Sequence, residues 1–183
     1  MTTQTTLRTL ASALLLLAFS APALAGDVED CRSKAKMSNE ARLKSCNAVI
    51  DGKQAKGADL AFAYYKRAMT ASANPKADQA EVMADVSKAI EIDPKLMEAY
   101  AFRALGYNKA LKYDNAIADL GSAIAIAPDR WGLYSLRAMI QAQKKDKQAA
   151  LADFRSALAL NPPATSAEMI RQRISKLEQG TTQ

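Results

Sequence analysis

The sequence contains no histidine, which removes Ser-His-Asp and Cys-His catalysis, and every histidine-based metal site, in one step. Two cysteines alone cannot close a structural zinc site. Aromatic residues make up only 6% of the chain, so large aromatic pockets are not expected. Lys and Arg are scattered among Asp and Glu with no basic run and no aromatic interleaving. The formal charge of +6 is therefore spread over a mixed surface, and nucleic acid is not an expected partner. The one marked apolar run, Leu10 to Phe19, is too short to span a membrane comfortably. What remains is 49% hydrophobic and alanine-rich, the composition of a helical protein with no catalytic residue, metal or cofactor indicated.

Shifting residues 97–130 forward by 34 positions lands them on a second version of themselves. Tyr100, Arg103 and Ala104 match Tyr134, Arg137 and Ala138. Ala116, Ala118, Asp119, Ser122, Ala123, Ala125 and Pro128 match Ala150, Ala152, Asp153, Ser156, Ala157, Ala159 and Pro162. The backward shift takes Ala118, Asp119, Ala123, Ile124, Ile126 and Pro128 to Ala84, Asp85, Ala89, Ile90, Ile92 and Pro94. Tyr64, Arg67 and Ala68 align with Tyr100, Arg103 and Ala104 at a spacing two residues longer, so an insertion falls near Asn74-Pro75-Lys76. A period of this length means stacked supersecondary units. Asp93-Pro94, Ala127-Pro128 and Asn161-Pro162 end the second helix of each unit, because proline disfavours helical geometry in the residue before it.

Each unit resembles a tetratricopeptide repeat: a helix with an aromatic followed by a small residue, a turn, then a helix with two alanines seven apart. The small residue is Ala68, Ala104 or Ala138, where the family often has glycine. The resemblance implies an all-α solenoid of stacked antiparallel helix hairpins, with units at 61–96, 97–130 and 131–164. Close helix contacts are expected at Ala104 against Ala116 and Ala123, and at Ala138 against Ala150 and Ala157. Leu120, Ile124, Phe154 and Leu158 would fill the spaces around them. Arg67, Arg103 and Arg137 with Asp85, Asp119 and Asp153 read as repeated structural ion pairs, since an active site needs one asymmetric constellation. As exposed pairs each would be worth about 0–1 kcal/mol.

Residues 1–25 have the pattern of a secretory signal: Arg8 near the amino terminus, the short apolar run, and Ala23-Leu24-Ala25 before Gly26. Cleavage would remove Arg8 and lower the charge from +6 to +5. The Ala-x-Ala ending is bacterial in type, so the expected address is periplasmic or secreted, with no stable membrane anchor after cleavage. An oxidising compartment makes Cys31 and Cys46 a natural disulfide, across a hairpin of helices at Asp27–Met37 and Asn39–Ile50 within an N-terminal unit, 26–60; the alternative is two buried free thiols. Lys53 to Asp59 is a polar connector before helices at Leu60–Ala73 and Ala77–Ile92. In the last segment, 165–183, Thr165 or Ser166 is expected to cap a helix reaching Glu178. That helix would cover the array's open end with Met169, Ile170, Ile174 and Leu177, leaving Arg171, Arg173 and Lys176 outward.

In repeats of this kind the first helices line a concave groove that takes peptide segments. By similarity to the repeat pattern, the groove residues here are Phe62, Tyr65, Lys66 and Met69, then Glu98, Ala101, Phe102, Leu105, Asn108 and Lys109, then Ser135, Leu136, Met139 and Gln143. The family's carboxylate-gripping subtype is not supported: Lys66, Asn108 and Lys109 are present, but the matching positions elsewhere are Leu, Met or Ala. The sequence thus points to a non-catalytic scaffold that binds a protein or peptide partner in the bacterial cell envelope. The alternatives are a self-assembling homo-oligomer and, least favoured, an enzyme using carboxylates such as Asp146 or Glu168.

Overall fold

A computed structural model describes residues 21–33 and 37–180, with side chains from residue 25 onward. Among the described residues there are nine helices and no strand: α1 (Ala21–Arg32), α2 (Asn39–Asp51), α3 (Gly57–Ala71), α4 (Gln79–Ile92), α5 (Met97–Lys109), α6 (Tyr113–Ile126), α7 (Trp131–Gln143), α8 (Lys147–Ala159) and α9 (Ala164–Glu178). The expected segment 1–25 lies, up to residue 20, outside the described residues. Its last five residues open α1, which runs unbroken past Gly26.

Three helices start where a side chain accepts from a free backbone N–H. Ser38 accepts from Ala41 N, Asp78 from Ala80 N and Asp146 from Ala149 N. The proline stops act as expected in two units, where α4 and α6 end at the residue before Asp93 and Ala127, both of which leave the helical region. In the third unit α8 ends sooner, at Ala159, and Asn161 takes a left-handed φ of 52° before Pro162. Asn tolerates that conformation because its short amide can bond locally.

Helices α3 and α4, α5 and α6, and α7 and α8 pack as antiparallel pairs; α4 then rests on α5 and α6 on α7. The contacts are made of short side chains. Ala68, Ala89, Ala104, Ala116, Ala123, Ala138, Ala150 and Ala157 are fully buried, with Leu120 and Phe154 between them. Glycine supplies one further contact: a Cβ at Gly106 would lie 2.5 Å from Met83 Sδ, so the Met83 side chain of α4 rests on the bare backbone of α5 and would have to swing aside for a larger residue.

Both ends differ in detail from expectation. Helix α1 stops at Arg32, so Met37 lies outside it. Cys31 and Cys46 are bonded, with Cα atoms 4.9 Å apart, and form a small core with Val49, Ala55 and Ala63. At the other end Pro163, not Thr165 or Ser166, precedes the last helix, with no side-chain cap. Ala167, Ile170 and Leu177 are its buried face, while Met169 is 57% exposed. Met169 follows Glu168 on the solvent side, because α9 meets α8 along the turn-spaced line 170, 174, 177.

Candidate functional site

Three arginine–aspartate pairs repeat down the stack. Arg67, Arg103 and Arg137 each donate from Nε and Nη2 to both carboxylate oxygens of Asp85, Asp119 and Asp153 at 2.7–2.8 Å. Each guanidinium also lies over a tyrosine of its own helix, Tyr64, Tyr100 or Tyr134. These pairs are not the exposed ones expected from sequence. Asp119 and Asp153 are only 6% exposed, because the small residues around them let the helices close over the carboxylates. The fork geometry holds each guanidinium above its ordinary pKa through its hydrogen bonds to the carboxylate, against the opposing effect of burial. Nη1 of Arg67 reaches Asn47 on α2 and Nη1 of Arg103 reaches Ser87 on α4, so the first two pairs also tie their units to the one before. Repetition and mutual satisfaction mark them as framework.

The carboxylates that an enzyme reading would use have structural work. Asp146 caps α8, and Glu168 receives Gln172 Nε2 at 3.2 Å with Arg171 at 3.7 Å. The two sit on different elements.

The first helices α3, α5 and α7 carry the predicted groove residues, and α3 meets α5 through a run of steeply inclined rings. Phe62 meets Tyr65 edge-on with centroids 5.7 Å apart, and Tyr65 meets Phe102 across the α3–α5 junction at 6.1 Å. The Tyr65 hydroxyl lies 3.5 Å from Met69 Sδ. Burial raises the Tyr65 phenol above its ordinary pKa, and the neighbouring Glu98 carboxylate adds to the rise. Phe102 is half-buried and leans on the Val82–Val86–Ala99 cluster, so it is partly core. Leu105, one turn on, is 47% exposed. Glu98, Lys109 and Gln143 are exposed; Lys66, Ala101, Asn108, Ser135, Leu136 and Met139 are intermediate. Asn108 has its side-chain carbonyl buried without a hydrogen-bond partner among the described residues.

Sequence reasoning missed the N-terminal contribution to this face. Arg32, at the end of α1, is ion-paired with Asp59 and places its guanidinium 4.8 Å from the Phe62 ring, with Lys66 Nζ at 5.7 Å. The only hint was that Arg32 follows the bonded Cys31. A cleft of 830 Å³ between α1 and the α2–α3 connector, lined by Val28, Glu29, Arg32, Ala55 and Asp59, was equally unreadable, since no motif marks it. No described helix is long and apolar enough to cross a membrane.

Residues 105–175 match the family model of the tetratricopeptide repeat. The 61–96 unit lies before this match, yet α3 and α4 pack as the later pairs do. A comparison with curated proteins gave no match. Among solved structures, the first tetratricopeptide domain of Spaghetti (RPAP3) bound to the HSP90 peptide SRMEEVD superposes with a TM-score of 0.61 at 19% identity, over 68% of this chain and 95% of that one. A tetratricopeptide repeat protein from Parabacteroides merdae gives 0.69 at 16% identity, over 87% and 60%. MamA gives 0.59 at 19%, over 67% and 68%. At these identities the likeness is one of fold.

Proposed function

We propose that this tetratricopeptide-repeat protein is an exported, non-catalytic scaffold of the bacterial cell envelope that holds a segment of a partner protein along the face of α3, α5 and α7. The carrying observation is the Phe62–Tyr65–Phe102 ring run, which continues to the exposed Leu105. It is a strip of rigid aromatic and apolar surface on a framework whose charged pairs are already satisfied. The Spaghetti domain carries a peptide, which supports the same use of the fold here. Export rests on the signal-like residues 1–25 and agrees with the paired cysteines.

The test is capture from envelope extract with the disulfide-bonded protein as bait. Leu105→Ser should leave helical content and melting unchanged and lose the captured partner, since a buried apolar anchor is worth on the order of 2 kcal/mol. Undiminished capture by the variant would remove the groove from the reading. Capture that instead collapses with salt, as screening shortens to about 3 Å at 1 M, would assign it to charge.

A further inference from the structure

The molecule shows on itself how a basic side chain is held on this face. Arg32 lies over the Phe62 ring at 4.8 Å and is ion-paired with Asp59: a cation, an aromatic ring and a carboxylate, each meeting the needs of the other two. One step along the strip, Tyr65 and Phe102 stand at 82° to each other, and the exposed Glu98 lies one turn before Phe102 on α5, near enough for its charge to act on the Tyr65 phenol. The ring and the carboxylate are thus repeated. The cation is not: among the described residues none lies over Tyr65 or Phe102, and none is within ion-pair distance of Glu98.

We infer that Tyr65, Phe102 and Glu98 form a seat for a lysine or arginine side chain on the bound segment, so that the groove selects a basic–apolar partner sequence. This rests on the scaffold reading above. One ring of the perpendicular pair can offer its negative face, and a cation above that face meets the carboxylate at the rim. Glu98 and Phe102 are four apart on α5 and therefore share a face. The half-buried floor lowers the local dielectric, which strengthens the contact relative to water. The overall +6 charge disfavours basic ligands at long range. Selectivity at this seat is accordingly short-ranged and survives physiological salt, where the screening length is about 8 Å.

The experiment is an NMR titration of the disulfide-bonded protein with three probes: acetyl-Leu-Ala-Arg-Ala-Leu-amide and its counterparts with citrulline or glutamate at the centre. Citrulline keeps the shape of arginine and lacks its charge. The arginine probe should shift the Tyr65 and Phe102 ring resonances and bind about fivefold or more tightly than the citrulline probe, the weight of one partly desolvated cation–aromatic contact with its ion pair. Glu98→Gln, at an exposed position, should erase that preference without changing the spectrum elsewhere. Equal binding of the arginine and citrulline probes, or preference for glutamate, overturns the seat. If all three probes shift Leu105 alike and leave Tyr65 untouched, the seat is lost and the groove remains. Absence of any shift on α3, α5 and α7 counts against both.

Discussion

Leu111 is the residue with the least reason to be what it is. It is 71% exposed and holds a φ of 59° at the α5–α6 turn. A side chain with a Cβ loses roughly 1–2 kcal/mol in that left-handed region, and Asn loses less. Leu111→Asn should therefore raise stability by about 0.5–1 kcal/mol in urea melts; a lower midpoint would show that Leu111 packs on something. Lys145, with φ 68° at the same place in the next unit, is the internal comparison. The acid partners of the ion pairs carry more energy than their sequence suggests. Asp119→Ala strands a guanidinium that is largely out of solvent, and breaking a buried pair costs about 3–5 kcal/mol. Asp85, whose pair is more open, should cost less. That places Asp119→Ala level with Ala104→Leu, where overpacking costs about 1–3 kcal/mol, or above it. Tyr65 makes a prediction with pH. Its folded pKa is raised, so the unfolded chain gives up the phenolic proton first. The stability it contributes is whole below about pH 10 and declines as pH rises through the folded value. Tyr65→Phe should flatten that alkaline loss in melts taken between about pH 9 and 11.

At the scale of helices, the joints between units are unequal for a reason visible in single residues. Arg67 and Arg103 each reach back to the preceding unit through Nη1, to Asn47 and Ser87. Thirty-four residues after Ser87 stands Gly121, where a Cβ would lie 3.8 Å from Arg137 Nη1, and there is no side chain to receive it. Gly121→Ser should supply the missing acceptor and remove a mid-helix glycine, each worth about 0.5–1 kcal/mol, and so tighten the α6–α7 joint. Hydrogen exchange slowing in α7 ahead of α3 would bear this out; exchange unchanged along the whole chain would refute it. The N-terminal joint is covalent. With a separation of 15 residues, the Cys31–Cys46 bond is worth about 3 kcal/mol in the chain-entropy account. Reduction should release α1 first, because its core is little more than the disulfide, Val49, Ala55 and Ala63.

The described residues form a line of neighbours, since each unit packs mainly on the next. Damage should stay near where it is made. Ile170→Ala, at the α8–α9 contact, removes a buried side chain and should cost about 2–4 kcal/mol. Its lost protection should appear in α7 to α9 while the disulfide-bonded hairpin keeps its own, and uniform loss would mean one cooperative unit. The same linearity underlies the use proposed for the α3–α5–α7 face. A strip built from successive first helices lengthens with the array while the framework pairs repeat behind it.

The units, their phase and their buried alanines were legible before any coordinate, because a 34-residue period and a proline stop are properties of the chain taken in order. So was the pairing of Arg with Asp, and so were the cysteines as partners, though their bond needed the tertiary structure. What that structure alone decided is whatever depends on distance between elements. It closed solvent away from Asp119 and Asp153, seated Gly106 against Met83, turned Met169 outward and brought Arg32 onto Phe62. It also set Tyr65 against Phe102 from two helices. Periodicity says which side of a helix is apolar. How near a neighbouring helix comes is set by the volumes of all the side chains between them, and no single stretch of sequence contains that sum.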